Sequence, residues 1–431
     1  MENNNFRVSL YRILKPLSAT LDLISKIVVD HHRTVTYISY MLGKGLKLPR
    51  DQLRDLVIAS LIHDIGTFQL NQDIADLSFD NNDRLHAEVG YLLLKNYFPL
   101  PTVPEIIRHH HREWQDYSNK FQVQQVSVLC HILFLADRIA TLIDNQKDIF
   151  AQVKSIEKRI SDNSGRRFWP MAVKAFLRVS KKEYFWLNII NSAQMGKVLD
   201  ENEELYYDYI DLDQLIDLSE IISHITDFRS PFTATHSAGT AFVAEELARW
   251  FHLSAEECKM MRIAGFTHDI GKLAVPLEIL NKTGKLNERE WEIMKSHAYY
   301  TYLVLSQLEE LKTINHWASY HHETLRGDGY PFHLDKPFLP LGSRIMSVAD
   351  VFTAITEDRP YRKGMNQGEV LKILEEMATN NIIDQEITAV ITSNYSYFNK
   401  IREKAQKKPG QVYRQFKLMI EKKRKEQLKS T

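Results

Sequence analysis

The strongest constraint on this chain is a set of metal-ligand side chains that occurs twice in the same order. Many of its 17 histidines stand in clusters, several beside an aspartate: His31-His32, His63-Asp64, His109-His110-His111, His268-Asp269 and His321-His322. His32 precedes His63-Asp64 by 31 residues, and His236 precedes His268-Asp269 by 32. His86 stands 24 residues before His110, as His297 stands 24 before His321. Asp137 then follows His111 by 26 residues, and Asp350 follows His322 by 28. Each half thus carries His, His-Asp, His, His-His, Asp, a repeat of about 200 residues. Chance clustering does not produce seven residues in one order twice.

The repeat and the length, 431 residues, agree on two domains. Apolar residues recur at three- and four-residue spacing, as in Val243, Leu247, Trp250 and Phe251, with few alternating runs. The chain therefore reads as all-α, in two tandem helical domains. Breaks fall at Leu48-Pro49, from Pro99 to Pro104, at Ser230-Pro231 and across Arg326 to Pro340, the one substantial loop. The expected divisions are residues 6–200, 205–400 and a basic tail at 401–431.

Lys plus Arg equals Asp plus Glu at 55 each. No global field then draws the protein to a nucleic-acid polymer or a membrane, and an anionic ligand has to be held locally. No apolar run reaches the ~18 residues of a membrane span, and the N-terminus has no signal-peptide core. Cys130 and Cys258 lie in apolar helical contexts that suit buried thiols in a reducing compartment. A cytoplasmic location is the expectation.

Imidazole nitrogens and carboxylate oxygens suit first-row divalent ions, Fe and Mn included, whereas cysteine ligands for structural zinc or iron–sulfur are missing. A carboxylate beside a histidine can bridge two ions about 3.5 to 4 Å apart. Asp269 is the candidate bridge. Such a pair lowers the pKa of a shared water and clamps phosphoryl oxygens, so the expected attacking group is a metal-bridging hydroxide.

Over about residues 212–400 the sequence resembles the HD-GYP family within the HD superfamily of metal-dependent phosphohydrolases. The residues that carry this resemblance are His236, His268-Asp269-Ile270-Gly271-Lys272, His297, His321-His322-Glu323 leading to Gly327-Asp328-Gly329-Tyr330-Pro331, and the stretch from Asp350 to Arg362. The resemblance implies cleavage of cyclic di-GMP to linear pGpG, with GMP as a further product. It assigns the metal ligands to His236, His268, Asp269, His297, His321, His322 and Asp350. Asp269 and Lys272 are the catalytic candidates. Lys272, Arg359 and Arg362 suit a phosphate clamp. Gly329, Tyr330 and Pro331 would contact substrate or a partner such as a GGDEF-type synthase, or form a structural turn. Members with three metals carry Glu four residues before the first histidine. Phe232 stands there in this chain, so two metals are expected. Glu323 would support a ligand or take part in catalysis. The same chemistry on 3′3′-cyclic GMP–AMP is the alternative activity, and a non-catalytic nucleotide-sensing module is an alternative of another class. Oligomeric state stays open, a homodimer included.

The first half looks like an HD domain without those additions. Thr67 replaces the lysine, no Gly-Tyr-Pro follows His110-His111, and no Arg-Pro-Tyr-Arg follows Asp137. Its candidate ligands are His32, His63, Asp64, His86, His110, His111 and Asp137. His31 and His109 leave the register open by one residue. A regulatory role is favoured over a second phosphohydrolase or a packing partner. The aromatic stretch from Phe168 to Trp186 reads as core, and the basic tail reads as a solvated amphipathic helix.

Overall fold

The structure is a computed structural model. The described residues are 6–22, 30–70, 79, 84–95, 99–118, 125–202, 205, 208–230, 233–358 and 363–428. They divide into two compact units, residues 9–209 and residues 210–428 with the segment 6–8. Helices dominate both. The strands found among the described residues are two residues long, Val8–Ser9 and Tyr209–Ile210, and lie at the division between the units.

In the first unit the helix His31–Gly45 packs against Arg50–Leu61, Gln125–Ala140 and Pro170–Val179. Pro49 stands at the N-cap of Arg50–Leu61, where a residue without an N–H sacrifices no helical hydrogen bond. Phe168, Phe176, Phe185 and Trp186 are buried and build the core, as expected, while Trp169 is half-buried and Tyr184 is exposed. Burying each such ring contributes about 1.5–3 kcal/mol. Trp186 also satisfies its indole N–H on the Ser180 carbonyl at 2.8 Å.

The second unit repeats the pattern. The helix His236–Trp250 packs against Ala255–Thr267 and Leu341–Thr356, and also against the long helix Tyr395–Leu428. Capping boxes start several of its helices: Asp211 with Gln214, Ser254 with Glu257, Asn287 with Glu290, and Asn366 with Glu369. Each satisfies backbone N–H groups that the first turn leaves unpaired, and a cap is worth ~1 kcal/mol.

The terminal helix differs from the sequence expectation. Tyr395–Leu428 runs unbroken across residue 400, and Phe398, Phe416 and Ile420 are buried. Phe416 and Tyr413 pack on Phe228 at ring distances of 5.5 and 5.1 Å. One face of this helix is core, which a charge-rich sequence conceals. Cys130 and Cys258 are buried thiols.

Candidate metal centre

In the second unit three helix ends and the interiors of two further helices converge. His236 is the first residue of its helix, and His268-Asp269 follows Ala255–Thr267 directly. His297 lies within Glu288–Leu305, His321-His322 follow Lys312–Ser319, and Asp350 lies within Leu341–Thr356.

Asp269 stands between two groups of histidines. Its Oδ2 is 3.3 Å from His268 Nε2, and its Oδ1 is 3.5 Å from His297 Nε2. On one side, His236 Nε2 and His268 Nε2 lie 2.8 and 3.7 Å from Asp350 Oδ1. On the other, His297, His321 and His322 form a compact group, with His297 and His321 Nε2 atoms 3.5 Å apart. The seven expected residues are thus brought together around one two-sided carboxylate.

Burial holds the imidazoles of the His297, His321 and His322 side neutral, whereas burial of His268 is outweighed by Asp269, which raises its pKa. His268, His297 and His321 each donate Nδ1–H to the carbonyl three residues back, at 2.8, 2.7 and 2.6 Å. That bond fixes the tautomer and turns each Nε2 lone pair inward. Burial pushes His297 down to about 4 and His322 down to about 3, which keeps both rings neutral near pH 7. Burial works against the Asp269 charge, but His268 and Lys272 outweigh it and hold the carboxyl well below the usual range. For His236, burial opposes the charge while Glu357 and Asp350 raise the pKa well above that of an ordinary histidine.

The donor set fits divalent ions. His268 Nε2 and Asp269 Oδ1 are buried and make no well-aligned hydrogen bond, although ligand-type atoms surround them. An unsatisfied buried polar atom costs about 1–3 kcal/mol. Imidazole nitrogens and an anionic carboxylate converging in this way have one common remedy, a shared cation.

Lys272 lies on the turn after Asp269, with Nζ 2.5 Å from Asp269 Oδ2. Burial disfavours its charge, but Asp269 more than compensates and raises its pKa. Arg229 holds that turn by donating to the carbonyls of Lys272, Leu273 and Val275 at 2.6, 3.0 and 3.2 Å. Gly271 permits the close approach of the His297 helix, because a Cβ there would lie 1.9 Å from the His297 carbonyl oxygen. Thr301, one turn beyond His297, donates to the His268 carbonyl at 2.8 Å and accepts from Gly271 N at 3.1 Å. Sequence reasoning missed Arg229 and Thr301, whose partners lie about 30 to 45 residues away along the chain.

The Gly-Tyr-Pro loop folds back on the His-His pair. Tyr330 N donates to the His322 carbonyl at 3.2 Å, and the two rings lie 4.8 Å apart. Glu323 accepts from the backbone of Phe332 and Leu334 at 2.7 and 3.0 Å, so its carboxylate staples this loop. Tyr330 places an edge against Trp291, whose ring is exposed. Arg359, Arg362 and Phe232 lie outside the described residues.

The first unit holds a matching cluster. Asp64 Oδ2 is 3.2 Å from His63 Nε2 and 3.8 Å from His31 Nε2, while Oδ1 is 3.3 Å from His86 and 3.7 Å from His110. Asp137 Oδ1 faces His31 at 3.3 Å and His63 at 4.0 Å, and His111 Nε2 lies 2.8 Å from His86 Nε2. His31, rather than the expected His32, takes the place that His236 has in the second unit. Both residues open their helices, and the His32 ring meets His31 edge-on at 5.6 Å and lies tilted against His63 at 5.1 Å. His109 lies outside the group and pairs with Glu105 at 3.5 Å.

Two mainly helical units, each with a buried His/Asp cluster built around a His-Asp pair, define a tandem HD architecture. Residues 28–142 and residues 220–387 each match a family described as HD domain. The chain belongs to the HD family and carries two HD domains. It is 27% identical to 3′3′-cGAMP-specific phosphodiesterase 1 of Vibrio cholerae over 93% of this chain and 95% of that one. It is 33% identical to 3′3′-cGAMP-specific phosphodiesterase 3 of the same organism over 60% of this chain and 56% of that one. A cyclic di-GMP phosphodiesterase of Pseudomonas aeruginosa is 36% identical over 34% of this chain and 35% of its own length. A crystal structure of a cyclic GMP–AMP-specific phosphodiesterase of Vibrio cholerae shares the fold, with a TM-score of 0.60 at 24% identity over 90% of this chain and 98% of that one. No helix among the described residues is long and apolar enough to cross a membrane.

Proposed function

We propose that this chain is a metal-dependent phosphodiesterase that hydrolyses a cyclic dinucleotide at its second domain. The observation that carries the reading is Asp269, whose two oxygens face two separate histidine groups. His236, His268 and Asp350 with Asp269 Oδ2 would hold one ion, and His297, His321 and His322 with Oδ1 a second; Fe(II) or Mn(II) suits this nitrogen and oxygen set. Ions bound there would supply Lewis acidity toward phosphoryl oxygens and acidify a neighbouring water.

The chain's own residues do the rest. The Nδ1–H bonds to backbone carbonyls hold the imidazoles in one tautomer. Lys272, held charged beside Asp269, offsets negative charge that develops on the phosphoryl group. Water adds to phosphorus and the ribose 3′ oxygen leaves with a proton, opening the ring to a linear dinucleotide with a 5′ phosphate. Tyr330, seated on His322, borders the site where substrate would enter.

Two substrates fit this reading. Cyclic di-GMP is named for relatives that match about a third of the chain, and 3′3′-cGAMP for the relative that spans nearly all of it. Anaerobically purified protein loaded with Fe(II) or Mn(II) and offered each dinucleotide separates them by product chromatography. Turnover of neither in either metal overturns the enzyme reading.

The cluster of the first domain we assign to a second, regulatory metal site, formed by His31, His63, Asp64, His86, His110, His111 and Asp137. Its donor atoms fit by the same criterion, since His63 Nε2, both Asp64 oxygens and His110 Nε2 are buried without a well-aligned hydrogen bond.

A further inference from the structure

We propose that Glu357 is the positioning residue for His236 and that Gln406 of the terminal helix holds it in place, an inference that rests on His236 being a ligand of the centre proposed above. His268, His297 and His321 each find an acceptor for Nδ1–H in the carbonyl three residues back. His236 cannot do so. It opens its helix, and the carbonyl three residues back, that of Thr233, accepts from the His236 backbone N at 2.9 Å. Its Nδ1 instead lies 3.2 Å from Glu357 Oε1, a carboxylate 121 residues away in sequence and buried with it. A carboxylate at the far nitrogen fixes the ring plane and tautomer and makes Nε2 a stronger donor to a metal.

Glu357 is itself held. Gln406 donates from Nε2 to Glu357 Oε2 at 3.1 Å and to the Thr235 carbonyl at 3.3 Å, and its Oε1 accepts from Arg402 Nη1 at 2.6 Å. Space for this amide comes from Gly239, one turn into the His236 helix. A Cβ there would lie 2.8 Å from Gln406 Nε2. The corresponding place in the first domain is occupied differently. Seven residues after Asp137, as Glu357 is after Asp350, stands Asp144, which pairs with Lys147 at 2.8 Å and caps Gln146 N at 3.0 Å. The terminal helix thereby reaches the metal centre of the second domain through one hydrogen-bonded chain: Arg402, Gln406, Glu357, His236.

The test is titration of the metal-stripped full chain with Mn(II), reading free Mn(II) by electron paramagnetic resonance, beside H236A, E357A, E357Q and Q406A. We expect E357A to bind one Mn(II) about ten- to a hundredfold more weakly, the range found when such outer carboxylates are removed. E357Q, whose amide oxygen still accepts from Nδ1, recovers most of that loss. At saturating Mn(II), E357A turnover returns toward that of the unaltered chain, which a residue touching substrate would not allow. Unaltered Mn(II) binding by E357A beside weakened binding by H236A overturns the inference. Unaltered binding by H236A overturns the metal-centre reading itself. Should E357A not fold, Q406A carries the test: a several-fold weakening of the same ion supports the proposal, and no change overturns it.

Discussion

The two HD domains hold the same seven ligand-type residues in nearly the same arrangement, yet they differ in where the positive charge sits and in how far the cluster is closed. In the first domain the cation is Arg138. It is fully buried, with Nη2 2.6 Å from Asp137 Oδ2, and the Asp137 side chain is 3% exposed. In the second domain the cation is Lys272, paired with the central aspartate, its side chain 18% exposed, and Asp350 rises to 11%. At the lysine's position the first domain has Thr67, whose hydroxyl donates to the Asp64 carbonyl at 2.7 Å. Closed metal sites serve structure, and sites that do chemistry keep one side open. The ligand set is thus common to both domains, and the cation together with the opening is what sets the second cluster, proposed as the catalyst, apart from the first, proposed as a regulatory site.

The comparison can be broken most decisively at the two aspartates. D269N should lower turnover at least a thousandfold, because one substitution disturbs both ion positions, whereas D64N should leave turnover within a few-fold. Initial rates with matched metal loading check this. Next in size is Arg138. Replacing it with Met leaves only His31 and His63 facing the buried Asp137 carboxylate and should destabilise the first domain by up to about 3–5 kcal/mol. Denaturant unfolding that reports this loss, beside a second domain that still turns over, would sharpen the division of roles. K272T copies the first domain's residue into the second. It should cost about a hundredfold in kcat at unaltered metal content. A loss of metal along with activity would show that Lys272 organises Asp269 rather than the phosphoryl charge.

A further effect is one of pH. His224, buried and stacked on Phe228 at 4.8 Å, is pushed down to about 4 by burial, against an ordinary value of 6.5. Its proton therefore prefers the unfolded chain. The second domain keeps this contribution above about pH 6.5 and loses it as pH falls toward 4, by up to about 1.4 kcal/mol per pH unit. Thermal melts of H224Q should show a shallower decline across that window than the unaltered chain.

The seven residues of the second cluster were legible because each is a ligand type at a fixed spacing, and helical periodicity gave the all-α class. Adjacent histidines hid the first-domain register. The signal that resolves it was in the numbers, since His31 to His63 spans 32 residues, as His236 to His268 does. Glu323 looked like a candidate beside the ligands, but its direction depends on where the Gly-Tyr-Pro loop folds, and it bonds that loop's backbone instead. Glu357 and Gln406 could not be read at all. Their partners are set by the packing of helices far apart in sequence, and neither residue type nor spacing marks them.

The most direct test of the central claim is turnover of cyclic di-GMP and 3′3′-cGAMP by the Mn(II)-loaded full chain, D64N and D269N side by side, with metal content measured on each sample. The unaltered chain and D64N should produce linear dinucleotide at similar rates while D269N produces none. Activity retained by D269N and lost in D64N would place the chemistry in the first domain and contradict the account.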